Sequence, residues 1–342
     1  MTLKKAIREW SQAWRYPRHI LLGDQYWYGG LEILNRVFEI KPNQLLYGFL
    51  QHGWTFTVET MPKIRNRAGK SLPKLLWSNR LFNEEISRKK ALDSDPILIG
   101  SPWCHMLNLL GYQLTANGLS CPTQKKEERN QVVTYFPNHS TMDFSLDRTY
   151  FESIDVDEQW GEIEVCLGWL DFLNPEVRAL YGRYDLSVVC MGYRGNASAE
   201  GPSALAGGRV EFLFSVLKQI ENSHTVIFDE ISSPFWYSLS LGKKIILRDK
   251  THVYDDYKKK LGVEGGQFVS TSEILHLTGL TSLNVGQVFT PDAMSISIAL
   301  NELGWPACQD LSVAKSKLRT FPSKANIEAE SALIKVLEKF MT

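Results

Sequence analysis

The sequence carries no excess of charge of either sign: 38 Lys and Arg stand against 38 Asp and Glu. A dedicated nucleic-acid binder normally shows a basic surplus to meet phosphates, so that class is set aside. No apolar run approaches the roughly 20 residues that a membrane-spanning helix needs. The first residues, MTLKKAIREWSQAWRYPRH, hold no signal-peptide h-region, which argues against export and for a cytoplasmic protein. CxxC pairs are missing as well. The five cysteines, Cys104, Cys121, Cys166, Cys190 and Cys308, are odd in number and scattered, so buried reduced thiols are expected. The seven histidines form neither HxxxH nor HExxH, and no DxD pair stands at a strand end. There is no GxSxG elbow, no GxxxxGK[ST] phosphate loop and no GxGxxG, which demotes hydrolase, ATPase and dinucleotide-dehydrogenase readings.

What is present fits a soluble globular chain: 44% hydrophobic and 22% charged residues over 342 positions, enough for two cores. Ten Trp accompany 13 Tyr and 16 Phe. Such aromatics fill large cores, but they also line sugar sites. The N-terminal stretch reads as a short basic amphipathic helix with Ile7, Trp10, Ala13 and Trp14 near one face. It either docks on the protein's own core or touches an anionic inner leaflet peripherally.

Short β-rich runs alternate with helical patterns, the mark of parallel α/β architecture. QLLYGFL (44–50), KLLW (74–77) and PILI (96–99) read as strands, with helices over 83–92 and 103–110. The polar stretch GLSCPTQKKEERN (118–130) reads as a linker. A second strand series follows at 132–136, 163–168, 186–191, 225–228 and 244–247, with helices at 175–181, 208–220 and 234–241. The expectation is an N-terminal Rossmann-like domain over 1–120, a C-terminal one over 131–300, and helices over 301–342, including 327–340.

In doubly wound sheets ligands bind past the carboxyl ends of strands. The run TVIFDEISSPFWYSLSLGKKIIL (225–247) leads from a buried strand through Asp229 and Glu230 into Ser232-Ser233-Pro234, which opens a helix. Ser before Pro is the N-cap arrangement, and the dipole end beside two hydroxyls suits a phosphate. Plain capping is the commoner role for such serines. After the strand ending at Phe136, PNHST brings His139, Ser140 and Thr141 to a turn, each able to bond a phosphate or ribose. Gly192 permits close backbone approach beside Tyr193, and Arg194 offers a fork of donors. Trp169 and Asp171 stand past another strand end. In the first domain Asp24, His52 or Glu59 could supply a general base. Trp27 and Trp54 stand near them, and Ser78-Asn79-Arg80 and Gly100–Trp103 follow two strands. Those loops share a cleft if the two domains oppose each other. Surface and capping roles compete with all of these readings.

The order strand–FPNHST, strand–VCLGWLD, strand–VVCMGYRG, helix–EFLFSVLKQI and strand–HTVIFDEISSPFWYSLSLGKKIIL resembles GT-B glycosyltransferase-like proteins of bacterial surface-polysaccharide (lipopolysaccharide and capsule) clusters. The likeness runs from about Asp95 to Leu247 and includes Ile99–Trp103. More remotely the layout is similar to bacterial sialyl, nonulosonate and Kdo transferases, which carry a Gly-His-Pro motif and a paired-Ser motif on the CMP moiety. Ser232-Ser233 matches the paired serines and Gly192 the glycine, whereas Tyr193-Arg194 departs from His-Pro. The resemblance implies two Rossmann-like domains facing a cleft and a metal-independent transferase without cofactor. It implies a nucleotide-sugar donor, CMP-linked or otherwise, held by Ser140, Thr141, Gly192, Tyr193, Arg194, Ser232 and Ser233. His139 would join the phosphate clamp, with Asp24 as base and Glu59 in reserve. Trp27, His52 and Trp54 would hold a glycan or lipid-linked acceptor. Two rivals stay open: a non-catalytic assembly protein on the same scaffold, and a sugar-nucleotide epimerase.

Overall fold

The computed structural model describes residues 30–41, 44–51, 53–61, 71–90, 94–122, 132–137, 162–168, 171–172, 174–183, 186–191, 204–249 and 269–322. In chain order these form α1 (Gly30–Phe38), β1 (Gln44–Leu46), β2 (Phe49–Leu50), β3 (Lys74–Leu76), α2 (Asn79–Arg88), β4 (Ile97–Leu98) and α3 (Pro102–Leu109). A hairpin of β5 (Gln113–Thr115) and β6 (Gly118–Ser120) follows. Next come β7 (Val132–Phe136), β8 (Ile163–Leu167), α4 (Pro175–Gly182), β9 (Ser187–Cys190), α5 (Ala204–Asn222), β10 (Ser223–Phe228), α6 (Ser233–Ser240) and β11 (Lys244–Leu247). Then α7 (Thr271–Thr278), β12 (Val288–Phe289), α8 (Ala293–Glu302), α9 (Trp305–Gln309), α10 (Ser312–Lys317) and β13 (Thr320–Pro322) complete the described elements. Among them no helix is long and apolar enough to cross a membrane.

Contacts group the chain into two compact units: Met1–Leu110 with Tyr193–Leu213 and Asn301–Thr342, and Gly111–Gly192 with Phe214–Leu300. In the first unit β2, β3 and β4 form a parallel sheet, while β1 pairs antiparallel with β13. The run 44–50 expected as one strand is therefore two. At Gly48 a Cβ would come within 2.9 Å of the Leu75 side chain and the Pro73 carbonyl, and there the chain passes from the β13 pairing to the β3 pairing. Helices α2 and α3 start earlier than the apolar spacing indicated, because Ser78 and Ser101 cap them. Ser78 Oγ accepts from Leu81 N at 3.4 Å, and Ser101 Oγ accepts from Cys104 N at 3.2 Å with Pro102 in the first turn.

In the second unit the sheet order is β12-β11-β10-β7-β8-β9, parallel except for β12. The five expected strands all form; β7, β8, β10 and β11 are largely buried, while β9 lies at the sheet edge and is partly exposed. In-register neighbours of a parallel sheet point to one face. Tyr135, Ile227 and Ile246 face a core with Val177 and Tyr181 of α4. Phe136 and Phe228 stack at 5.5 Å between ring centroids, and Phe228 meets Phe235 of α6 edge-on at 5.6 Å. The expected linker contributes β6, and its remainder at 123–130 lies outside the described residues, as does the helical pattern at 327–340.

Gly242 follows α6 in the left-handed region at φ +67°, and a Cβ there would meet the Asn117 carbonyl at 1.9 Å. The hairpin turn thus lies directly on the end of α6. Lys243 Nζ donates to the carbonyls of Glu221 and Ser223 at 2.7 and 2.8 Å, closing α5. Gly242→Ala is expected to cost more than about 1 kcal/mol in urea unfolding.

His105 of α3 is fully buried beside Cys104 and Cys308, with Nε2 2.7 Å from the Ile99 carbonyl. Burial pulls its pKa down to about 4, against the opposing pull of the Ile99 hydrogen bond. Burial likewise pushes the Cys166 and Cys308 thiols up, in keeping with inert reduced cysteines. Because the folded state holds His105 neutral, the unfolded chain binds an extra proton between about pH 6.5 and 4. The stability from this neutral site is present above the unfolded pKa and falls by about 3 kcal/mol as pH drops through that window. In pH-dependent denaturation, His105→Gln should flatten this slope.

Candidate functional site

Counted from β7, the parallel strands lie in the order 3-2-1-4-5. After β7 the chain builds outward on one side through β8 and β9; after β10 it builds outward on the other through β11. The carboxyl ends of β7 and β10 therefore mark the topological switch point, where sheets of this kind bind ligands.

Alternation along the strands decides which side chains gather there. Asp229 lies two residues beyond Ile227, and Arg248 two beyond Ile246, so both share the Tyr135 face at the carboxyl edge. Asp229 is fully buried. The Tyr135 hydroxyl donates to Asp229 Oδ2 at 2.6 Å. Arg248 Nη1 donates to the Tyr135 oxygen at 3.2 Å and stands 3.7 Å from Asp229 Oδ1, with the guanidinium 5.5 Å from the Tyr135 ring centroid. Tyr181 of α4 completes the group. Burial, then the Asp229 and Asp171 carboxylates, hold its phenol well above the ordinary range, while Arg248 pulls the other way. The structure places Asp229 as a buried strap between adjacent strands.

On the other side of β10, Asp229-Glu230-Ile231 leads into α6. Ser232, not Ser233, is the N-cap residue, and Ser233 and Pro234 occupy the first turn. The Ser232 hydroxyl makes no capping hydrogen bond, whereas those of Ser78, Ser101 and Ser270 each accept from their helix. Ser232 contributes instead through its carbonyl, which accepts from Phe235 N at 3.1 Å and Trp236 N at 3.4 Å. Both serines are partly exposed. The result is a helix N-terminus with two hydroxyl-bearing residues at the switch point, an arrangement suited to an anion. At the end of β11, Asp249 takes a left-handed backbone at φ +50° and accepts from Thr271 Oγ1 at 2.7 Å.

The other sequence candidates fall in different places. His139, Ser140, Thr141, Gly192, Tyr193, Arg194, Asp24, Trp27, His52 and Trp169 lie outside the described residues. Glu59 sits in a single 3-10 turn, Val58–Thr60, exposed and ion-paired with Arg88. Trp54 donates its indole N–H to Glu302 Oε2 at 2.8 Å, and Arg80 grips the same carboxylate with two hydrogen bonds of 2.8 and 2.7 Å. The segments expected as loops after β3 and β4 are helix starts against which residues 303–308 pack. Ser101 N donates to the Leu303 carbonyl at 3.0 Å, and a Cβ on Gly304 would meet the Trp77 carbonyl at 1.8 Å. Trp103 and Trp236 are wholly buried and belong to the core, so of the two roles open to the aromatics they take the packing one. Tyr135, Tyr181 and Arg248 escaped the sequence reading, although in IILRD a charged residue stands directly after the last apolar one. Among the described residues no group of three or more His, Cys, Asp or Glu is placed to hold a metal ion.

No protein-family model matches the sequence, and no curated protein matches it. Among solved structures the chain is similar to one of the wall teichoic acid polymerase TagF with CDPG. The identity is 12%, over 78% of this chain and 57% of that one, with a TM-score of 0.26. This chain thus spans little more than half of that polymerase, and the likeness is too slight to establish a shared fold.

Tyr135→Phe removes the short hydrogen bond to a buried carboxylate. It is expected to lower unfolding free energy by about 1.5–3 kcal/mol without altering the circular dichroism spectrum. Unchanged stability would mean that the Tyr135–Asp229 bond is not made in solution.

Proposed function

We propose that the chain is a metal-independent glycosyltransferase of GT-B type. In this reading it moves a sugar from a nucleotide donor to a glycan or lipid-linked acceptor in bacterial surface-polysaccharide synthesis. The supporting observation is the switch point of the 3-2-1-4-5 sheet, where the α6 N-terminus presents Ser232 and Ser233 and the Ser232 hydroxyl is not used for capping. A helix N-terminus is a natural place for a leaving phosphate, because its N–H groups and dipole favour the charge that develops as the glycosidic bond breaks.

In this reading Ser232 and Ser233 hold the donor phosphate, and His139, Ser140, Thr141, Gly192, Tyr193 and Arg194 complete the nucleotide site. The paired serines favour a CMP-linked donor carrying a nonulosonate or Kdo-like sugar. Asp24 deprotonates the acceptor hydroxyl, with Glu59 in reserve, and Trp27, His52 and Trp54 bind the acceptor. The buried Asp229 has a supporting part only, since its carboxylate is occupied by Tyr135 and Arg248.

Two measurements test the proposal. Calorimetric or thermal-shift titration with CMP, UDP, GDP and TDP should show binding of at least one; silence across all four would sink the donor site. The double variant Ser232→Ala/Ser233→Ala should slow sugar transfer by about 100-fold. Transfer at the wild-type rate would remove the phosphate assignment.

A further inference from the structure

We infer that Arg248 is an anion-contacting residue of the switch-point site, meeting a phosphoryl group of the bound nucleotide. The inference rests on the reading that this sheet edge binds a nucleotide, and it adds a cation that the paired-serine turn lacks.

Position carries the argument. Arg248 follows β11, yet its guanidinium reaches past β10, lying 3.7 Å from the Asp229 carboxylate and 3.2 Å from the Tyr135 hydroxyl on β7. That brings a positive charge to the place where β7 and β10 part, which is where a ligand of this sheet sits. The Arg248 side chain is 12% exposed, whereas Asp229 beneath it is fully enclosed, so Arg248 is the member of the pair whose side chain reaches solvent. Its grip on Asp229 also differs from the tight one elsewhere in the chain. Arg80 makes two hydrogen bonds of 2.7–2.8 Å to Glu302, but Arg248 stands at ion-pair distance while Tyr135 supplies the 2.6 Å bond to the carboxylate.

Asp229 and Tyr135 hold Arg248 in place before the ligand arrives, so little side-chain entropy is lost when a phosphate docks. A planar guanidinium fixed in this way suits phosphate oxygens better than a mobile ammonium would.

The experiment compares a nucleotide with its own nucleoside. Whichever of CMP, UDP, GDP and TDP binds the wild-type protein is titrated at several salt concentrations into wild type, Arg248→Lys and Arg248→Met; the parent nucleoside is titrated in parallel. Arg248→Met should weaken the nucleotide by about 10- to 100-fold, leave the nucleoside within about twofold and flatten the salt dependence; Arg248→Lys should fall between. Equal weakening of both ligands with an unchanged salt slope would make Arg248 structural and overturn the inference, as would wild-type affinity in Arg248→Met. If Arg248→Met does not fold, Asp229→Asn/Arg248→Met, which leaves no unpaired buried charge, takes its place under the same criteria. Binding of no nucleotide by wild type would overturn the donor-site reading itself, and with it this assignment.

Discussion

A single buried carboxylate organises the carboxyl edge of the parallel sheet. Asp229 is enclosed completely, and an isolated charge in that position would cost several kcal/mol. It is tolerated because Tyr135 donates to it from β7 and Arg248 balances it from the end of β11. Three adjacent strands are thereby tied at one end by side chains, in addition to the backbone ladder. The strap reaches the residue from which the chain turns into α6, so the strand-to-helix corner inherits its rigidity. Replacing such a pair with apolar residues is often neutral for stability, so its presence at the carboxyl edge of the sheet invites a functional explanation.

The two faces of the sheet divide the work. Aromatic and aliphatic side chains at alternate positions pack α4 on one face and α6 on the other. Buried polar side chains are bonded to one another, as Thr134 is to Ser223 and Gln219 within the sheet and Asp229 is to Tyr135 at its carboxyl edge. Beneath α6, the left-handed Gly242 and the Lys243 ammonium anchor the hairpin turn and the end of α5. The helix that presents Ser232 is therefore fixed at both ends, by the Asp229 corner at one and the hairpin at the other.

Much of this was legible in the sequence, for definite reasons. Buried parallel strands such as VVTYF and TVIF are short apolar runs bounded by turn residues, so their positions could be read directly. Serine before an apolar helix announced the α6 corner, although the cap fell on Ser232 and not on the residue next to Pro234. Strand order could not be read, because nothing local in 223–228 says that β10 pairs with β7 and not with β9. For the same reason Arg248 was invisible: its partner Tyr135 lies 113 residues away. The break at Gly48 depended on β13, at the far end of the described chain. Tryptophan misled because propensity does not distinguish a loop platform from the packed first turn of a helix such as α3.

The pairing of β1 with β13, and the packing of 303–308 on the strand ends of the first sheet, carry a consequence for synthesis. The first unit takes in residues from 301 onward, whereas the second is complete by Leu300. A chain emerging from the ribosome therefore holds every strand of the 3-2-1-4-5 sheet before it can finish the sheet begun at its own start. The second unit can condense first, and the earlier-made half waits with β1 unpaired until β13 arrives. The order in which the described strands are made thus differs from the order in which the two units can be completed.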